Sequence, residues 1–207
     1  MPITIATPPD AVLTELTNTL PRIAGSSGIA QRAPSITRSA DRFTLADAMR
    51  VARAPDEIAD ADALPMPVYV VGLDDLAQEG HLEETARLAL WSYIVTTEAG
   101  AVSAEVTSDD SQFAQISNTA AAGRARSALI HLAQDESADA PNGEAAELRV
   151  PALHLSLLWI RGESGTFEVL DFQGPELPIG RRFGADELEG VLRTLAEAYP
   201  REAEGEG

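Results

Sequence analysis

In "AVSAEVTS", residues 101–108, apolar and polar side chains alternate: Val102, Ala104 and Val106 fall on one side of an extended chain, Ser103, Glu105 and Thr107 on the other. A period of two predicts a half-buried antiparallel strand with its polar side outward. The preceding run "WSYIVTT" (91–97) is rich in β-branched and aromatic residues, and Glu98-Ala99-Gly100 supplies a hairpin loop between the two. "VYVVGL" (68–73) reads as a shorter strand. Two long apolar runs, 148–161 and 166–173, flank "GESG" and predict a second hairpin.

Helical periodicity separates these strands. "HLEETARLA" (81–89) and a longer stretch from Phe113 to Gln134, with Asp109, Asp110 and Ser111 as cap candidates, read as helices, as does "ADELEGVLRTLAEAY" between Gly184 and Pro200. The acidic "DESADAPNGEAAE" (135–147) reads as an exposed loop. From residue 68 the order is strand, helix, strand, strand, helix, strand, strand, helix. It predicts an α+β fold in two layers, a mainly antiparallel sheet of about five strands packed with helices.

Upstream the pattern is weaker. Val12, Leu13, Leu16 and Leu20 behind Asp10 predict a short helix that Pro21 stops. Arg22 to Ser39 is small and polar, with Arg22, Arg32 and Arg38 and no acid, and reads as a flexible, basic linker. "FTLADAMRVARA" (43–54) predicts a helix, and the segment down to Pro67 a loop closed by Pro65 and Pro67. The expected organisation is an arm with a short helix (1–42), one domain (43–200) and a disordered acidic tail (201–207).

Composition narrows the chemistry. The 207 residues include no cysteine, and the basic residues are all arginine, so thiolate nucleophiles, cysteine metal sites, Schiff bases and a P-loop lysine are excluded. With 33 acidic against 15 basic residues the net charge is −18, which disfavours nucleic acid and anionic membranes and suits a basic partner. No apolar run is long enough to span a bilayer, and the first residues lack the pattern of a secretion signal, so the expectation is a cytoplasmic protein.

Three groups of residues carry candidate chemistry. His154, in an otherwise apolar run, shares a strand face with Ser156 and with Tyr93 could border a small-molecule pocket. At about 6.5 Å along the strand it is too far from Ser156 to deprotonate it, and a hydrogen-bonded structural histidine is the stronger reading. Asp74 and Asp75, with Asp109 and Asp110, each follow a strand and could converge on magnesium, although aspartates there also cap turns and helices. Arg22, Arg32 and Arg38 could make the arm a partner-binding segment. Arg181 and Arg182 are read as pairing with nearby acids, while Arg124 and Arg126 diverge by about 200° on a helix and cannot form one clamp. The leading expectation is a non-enzymatic protein-interaction or assembly module without a cofactor, with an unidentified protein partner and a homo-oligomer as a further option. The alternative is a metal-dependent hydrolase or phosphoryl-transfer enzyme using the aspartates.

Overall fold

Two prolines in "ALPMPVYV" decide how the sheet is assembled. In the computed structural model this segment is a strand, β2 (Ala63–Val70), paired antiparallel with β3 (Arg87–Thr97) along its whole length, with one register shift between Val68 and Tyr69. Alternate residues of a strand turn their N–H to the same side, and proline has none. Pro65 and Pro67 therefore face away from β3, and β2 can offer donors to its other neighbour only beyond Pro67. That neighbour, β6 (Gly143–Val150), pairs with β2 in parallel only at Val68, Tyr69 and Val70. The gap left along the start of β6 is filled by β1 (Ile3–Ile5), also parallel to β6, with Ile3 opposite Gly143 and Ile5 opposite Ala145.

The structure describes residues 3–25, 63–77, 81–97, 100–117, 120–137, 140–162 and 165–199, with side chains for all of these except 20–25, 96–97, 100 and 116–117. The remaining elements are α1 (Asp10–Gly25), α2 (Leu73–Ala77), α3 (Leu82–Thr85), β4 (Gly100–Thr107), β5 (Phe113–Ser117), α4 (Ala120–Ala133), β7 (Leu155–Arg161), β8 (Thr166–Asp171), β9 (Arg182–Gly184) and α5 (Ala185–Ala198). The strands form one mixed, mostly antiparallel open sheet in the order β5-β4-β3-β2-β6-β7-β8-β9, with β1 beside β6.

Both faces of this sheet are apolar, so both are covered. On one face α1 packs Val12 and Leu16 over Trp91, Tyr93 and Val95 of β3 and Val102, Ala104 and Val106 of β4. On the same face α5 packs Leu188, Leu192 and Ala196 over Leu148, Leu157, Trp159 and Phe167. On the other face α4 lays Ala122, Ala125, Ala128 and Leu129 against Leu64, Met66, Ile94, Leu158 and Ile160. Small residues let that helix approach closely.

The α+β class stands, but the sheet has nine strands instead of about five, and helices lie on both faces, making three layers instead of two. The differences have local causes. The expected loop before Pro67 is strand, because both prolines point away from the ladder that holds it. The helix expected over 81–89 is only Leu82–Thr85, since Arg87 already pairs with Val70. Phe113–Ser117, expected to be helical, is strand β5 against β4, and α4 starts at Ala120. The expected loop 135–147 ends in β6, where Ala145 and Ala146 are buried. The single run 148–161 is two strands, because Pro151 breaks it into a tight turn. Helix α1 continues through Pro21 to Gly25, a proline removing one ladder bond and not the buried anchors Val12 and Leu16. The rest of the expected arm, the helix over 43–54 and the tail 201–207 lie outside the described residues.

Leu16 is fully buried beneath α1. Leu16→Ala is expected to destabilise the chain by about 2–5 kcal/mol in urea denaturation, against well under 1 kcal/mol for Asn18→Ala, on the exposed side of α1.

Candidate functional site

The polar side of "AVSAEVTS" does not face solvent. Ser103 and Glu105 are buried, Glu105 at 2% exposure, and they belong to a polar cluster running across the sheet face that α4 covers in part. Strand register brings the cluster together. Ser92 of β3 and Gln115 of β5 lie opposite Glu105 on its two sides, while Glu147 and Arg149 share a face of β6 two residues apart.

Arg149 ties these groups to one another. Its Nε donates to Glu147 Oε1 at 2.7 Å and its Nη2 to Glu147 Oε2 at 3.0 Å and to Glu105 Oε1 at 2.8 Å. The last bond crosses β2 and β3, about 14 Å of sheet at the usual strand spacing. Gln115 Nε2 donates to Glu105 Oε2 at 2.8 Å, Ser103 Oγ donates to Glu105 Oε1 at 3.4 Å, and the Ser92 and Ser103 hydroxyls are 2.7 Å apart. Burial alone would push the Arg149 pKa down, but the hydrogen bonds and charges of Glu147 and Glu105 outweigh it, and the net shift is upward. The guanidinium is permanently charged, and each carboxylate carries a charge-assisted bond to it. An arginine held this way is neither an acid nor a base at neutral pH, and neither serine of the cluster hydrogen-bonds a histidine.

The other sequence candidates do not assemble into one site. His154 lies in the turn after Pro151, exposed, in the left-handed conformation (φ 49°), its N–H donating to Pro151 O at 3.0 Å. It is thus off the strand face on which it was expected beside Ser156. Ser156 stays on β7, opposite Arg149. Tyr93 is buried under α1, three strand spacings from β7, about 14 Å. The three line no common pocket.

The aspartate pairs do follow strands at the same end of the sheet, since β2 and β4 run in the same direction with β3 between them. Asp75, Asp109 and Asp110 make the bonds of turns and caps. Asp75 Oδ2 accepts from the Gly72 N–H at 3.4 Å, Asp109 from the Ser108 hydroxyl at 3.2 Å, and Asp110 from the Thr107 hydroxyl and from the Gln112 N–H at 3.3 Å. Among the described residues no three histidine, aspartate or glutamate side chains gather into a metal-ligand set.

Arg124, Arg181 and Arg182 are paired too, whereas Arg126 Nη1 is buried without a hydrogen-bond partner. Arg181 reaches Glu187 at 2.8 Å, Arg182 reaches Glu168 at 2.9 Å, and Arg124 holds the Leu170 carbonyl and Asp171. Arg22 lies in α1, its side chain outside the described set, as are Arg32 and Arg38. Two open surface hollows, about 480 and 450 Å³, are lined in part by these same paired groups: Arg124 and Glu168 in one, Glu187 in the other.

Sequence reasoning placed Glu105 on a solvated face and passed over Glu147 and Arg149. A signal was present, for Glu147 and Arg149 sit two apart on a segment whose neighbours are apolar. It was masked by reading 135–147 as loop. Beneath α1, Tyr93 Oη and Trp91 Nε1 are buried without hydrogen-bond partners. Desolvation pushes the Tyr93 pKa well above the ordinary phenol range.

No helix among the described residues is long and apolar enough to cross a membrane. Compared with protein-family models, curated proteins and solved structures, the chain shows no significant similarity to any of them.

Two outcomes follow from this geometry. Arg149→Met, which leaves two buried carboxylates unpaired, is expected to lower stability by about 3 kcal/mol, and Glu105→Gln with Glu147→Gln in the same chain to restore more than half; a single-variant loss under about 1 kcal/mol in urea melts would contradict the clamp. Because the folded pKa of Tyr93 is raised, its contribution is complete below the ordinary phenol range and is lost as pH rises through the folded value. Alkaline absorbance titration should therefore show one of the three tyrosines ionising only as the chain unfolds, and Tyr93→Phe should remove that delayed fraction.

Proposed function

We propose that the chain acts by binding another protein, as a non-enzymatic interaction or assembly module. The observation that carries this reading is that the polar cluster on the sheet face under α4 is closed on itself. Glu105, Glu147, Arg149, Ser92, Ser103 and Gln115 bond one another across the middle of the sheet. The clamped guanidinium supplies no proton and accepts none, and the Glu105 carboxylate beside Ser103 is itself held by Arg149 and Gln115. What the chain presents outward is a strongly acidic surface, with a net charge of −18 for the full sequence. Such a surface steers a basic partner toward it and repels other anions. The metal-dependent alternative is not favoured by the aspartates, since Asp75, Asp109 and Asp110 serve their own turns.

Affinity capture from an extract of native cells, with the full chain and with a chain lacking residues 1–42, tests the reading. The expected result is a discrete basic partner retained in low salt and released as salt is raised. Recovery of the same background proteins from both baits and from an unrelated acidic control would reject it.

A further inference from the structure

The notch on β6 that β2 cannot serve is held by a strand of three residues. Beyond Val68 toward its start, β2 has Pro67 and Pro65 on the side facing β6, so it cannot donate to the edge at Gly143, Glu144 and Ala145. Only the three residues of β1 pair with that edge, supplemented by the Thr4 hydroxyl donating to Gly143 O at 3.3 Å. Ile3 is buried and Ile5 packs beside it in the layer under α4, whereas Thr4 is exposed. The notch is shaped for a strand. Gly143 adopts φ 143°, and a Cβ there would stand 2.0 Å from the Arg161 carbonyl oxygen, so the strand start lies too close to β7 for any side chain. From β1 the chain passes through Ala6, Thr7, Pro8 and Pro9 into α1; Ala6 and Pro8 are buried, and the two prolines have no N–H to donate, so the link is held by packing and not by a ladder.

A three-residue ladder of this kind sits at the low end of local opening free energies. Once β1 leaves, the edge of β6 and the hollow for Ile3 must be filled again by an isoleucine-flanked parallel strand. Residues 3–5 of a second copy meet each requirement by identity. Charge favours the same occupant. Residues 1–9 carry no charged side chain, so the trade brings no acid of one chain onto the acids of the other, unlike contact between two surfaces of a −18 chain.

We propose that Gly143–Ala145 of β6 is a strand-exchange site, at which β1 is replaced by the same segment of a second copy and two chains assemble by trading it. The proposal rests on the reading of the chain as an interaction module and names a second copy as one partner.

The absence of cysteine from the sequence makes a direct test available. Thr4 and Glu144 are paired positions on neighbouring strands, a separation that a disulfide can span. Thr4 is exposed, and Glu144 is half-exposed with a single long contact to Arg161, at 3.5 Å, so Thr4→Cys and Glu144→Cys spare the core. Full-length Thr4→Cys and Glu144→Cys chains with different tags are mixed under mild oxidation. Thr4→Cys mixed with Glu187→Cys, on the exposed surface of α5, sets the collision background. A docked pair reacts at an effective concentration far above that of free collision, so exchange should give about tenfold or more of the mixed disulfide over background, rising with protein concentration.

The double variant Thr4→Cys/Glu144→Cys checks register within one chain. Closure of its own disulfide with no mixed product from the single variants overturns exchange while leaving β1 in place. Failure of the double variant to close any disulfide, within or between chains, removes β1 from β6 and overturns the proposal as well. Neither result touches capture of a different, basic protein, so loss of the exchange site and loss of the interaction reading are separately visible.

Discussion

The seam between β2 and β6 holds the molecule together, crossed on the α4 face by Arg149 and on the opposite face by Arg161, which hydrogen-bonds Tyr69. On one side lie β5, β4, β3 and β2, on the other β6, β7, β8 and β9, and the two sets share only three paired positions, extended by the Val71 N–H donating to Arg149 O at 3.1 Å. A ladder that short contributes little by itself. The guanidinium of Arg149, held by Glu147 on its own strand and by Glu105 on β4, adds a bond that reaches over two intervening strands. Desolvating one cation and two carboxylates is unfavourable, and an apolar replacement of equal shape would serve stability as well or better. Specificity is the better account of the network. Only one lateral register of β6 against the β2–β4 block lets one arginine meet both carboxylates.

That constraint and the prolines are two parts of one design. Pro65 and Pro67 withdraw the first half of β2 from β6, leaving the seam short; the same withdrawal opens the notch that β1 occupies. The chain thus enters the sheet at Ile3 on the α4 side and crosses it by Ala6, which packs under α1. Helices on both faces are then fixed by strands of one small region.

Much of this was legible in the residues, and where it was not the reason is physical. The hairpin of β3 and β4 and the last helix announce themselves because their neighbours in space are also neighbours in sequence. Leu158 and Ile160, on the face opposite Leu157 and Trp159, already required cover on both sides of β7, and the reading as two layers missed that requirement. The seam is a different matter. Glu105 and Arg149 are 44 positions apart and meet only because β6 joins β2 in parallel, a pairing that no local periodicity encodes. Nor does a single residue report which way a proline's nitrogen points; that depends on which neighbour arrives first. Glu105 was therefore read as solvent-facing, and Asp109 and Asp110, which merely shape the turn between β4 and β5, stood out instead.

The unpaired donors beneath α1 sharpen the contrast between the two faces of the sheet. Glu105 is buried at 2% exposure, yet both its oxygens are answered, Oε1 by Arg149 and Ser103 and Oε2 by Gln115. Tyr93, one residue from Ser92 and on the opposite face, is equally buried and its hydroxyl is answered by nothing. An unsatisfied hydroxyl is costly, by about 1–3 kcal/mol, and it is tolerated here because the ring itself fills the space between Val12, Leu16 and β4. The face under α1 is thus selected by volume and the face under α4 by polar pairing. A shift of strand register would leave the first merely repacked. It would strand two charges in the second, which is why the register of the whole sheet is set on the side where the arginine lies.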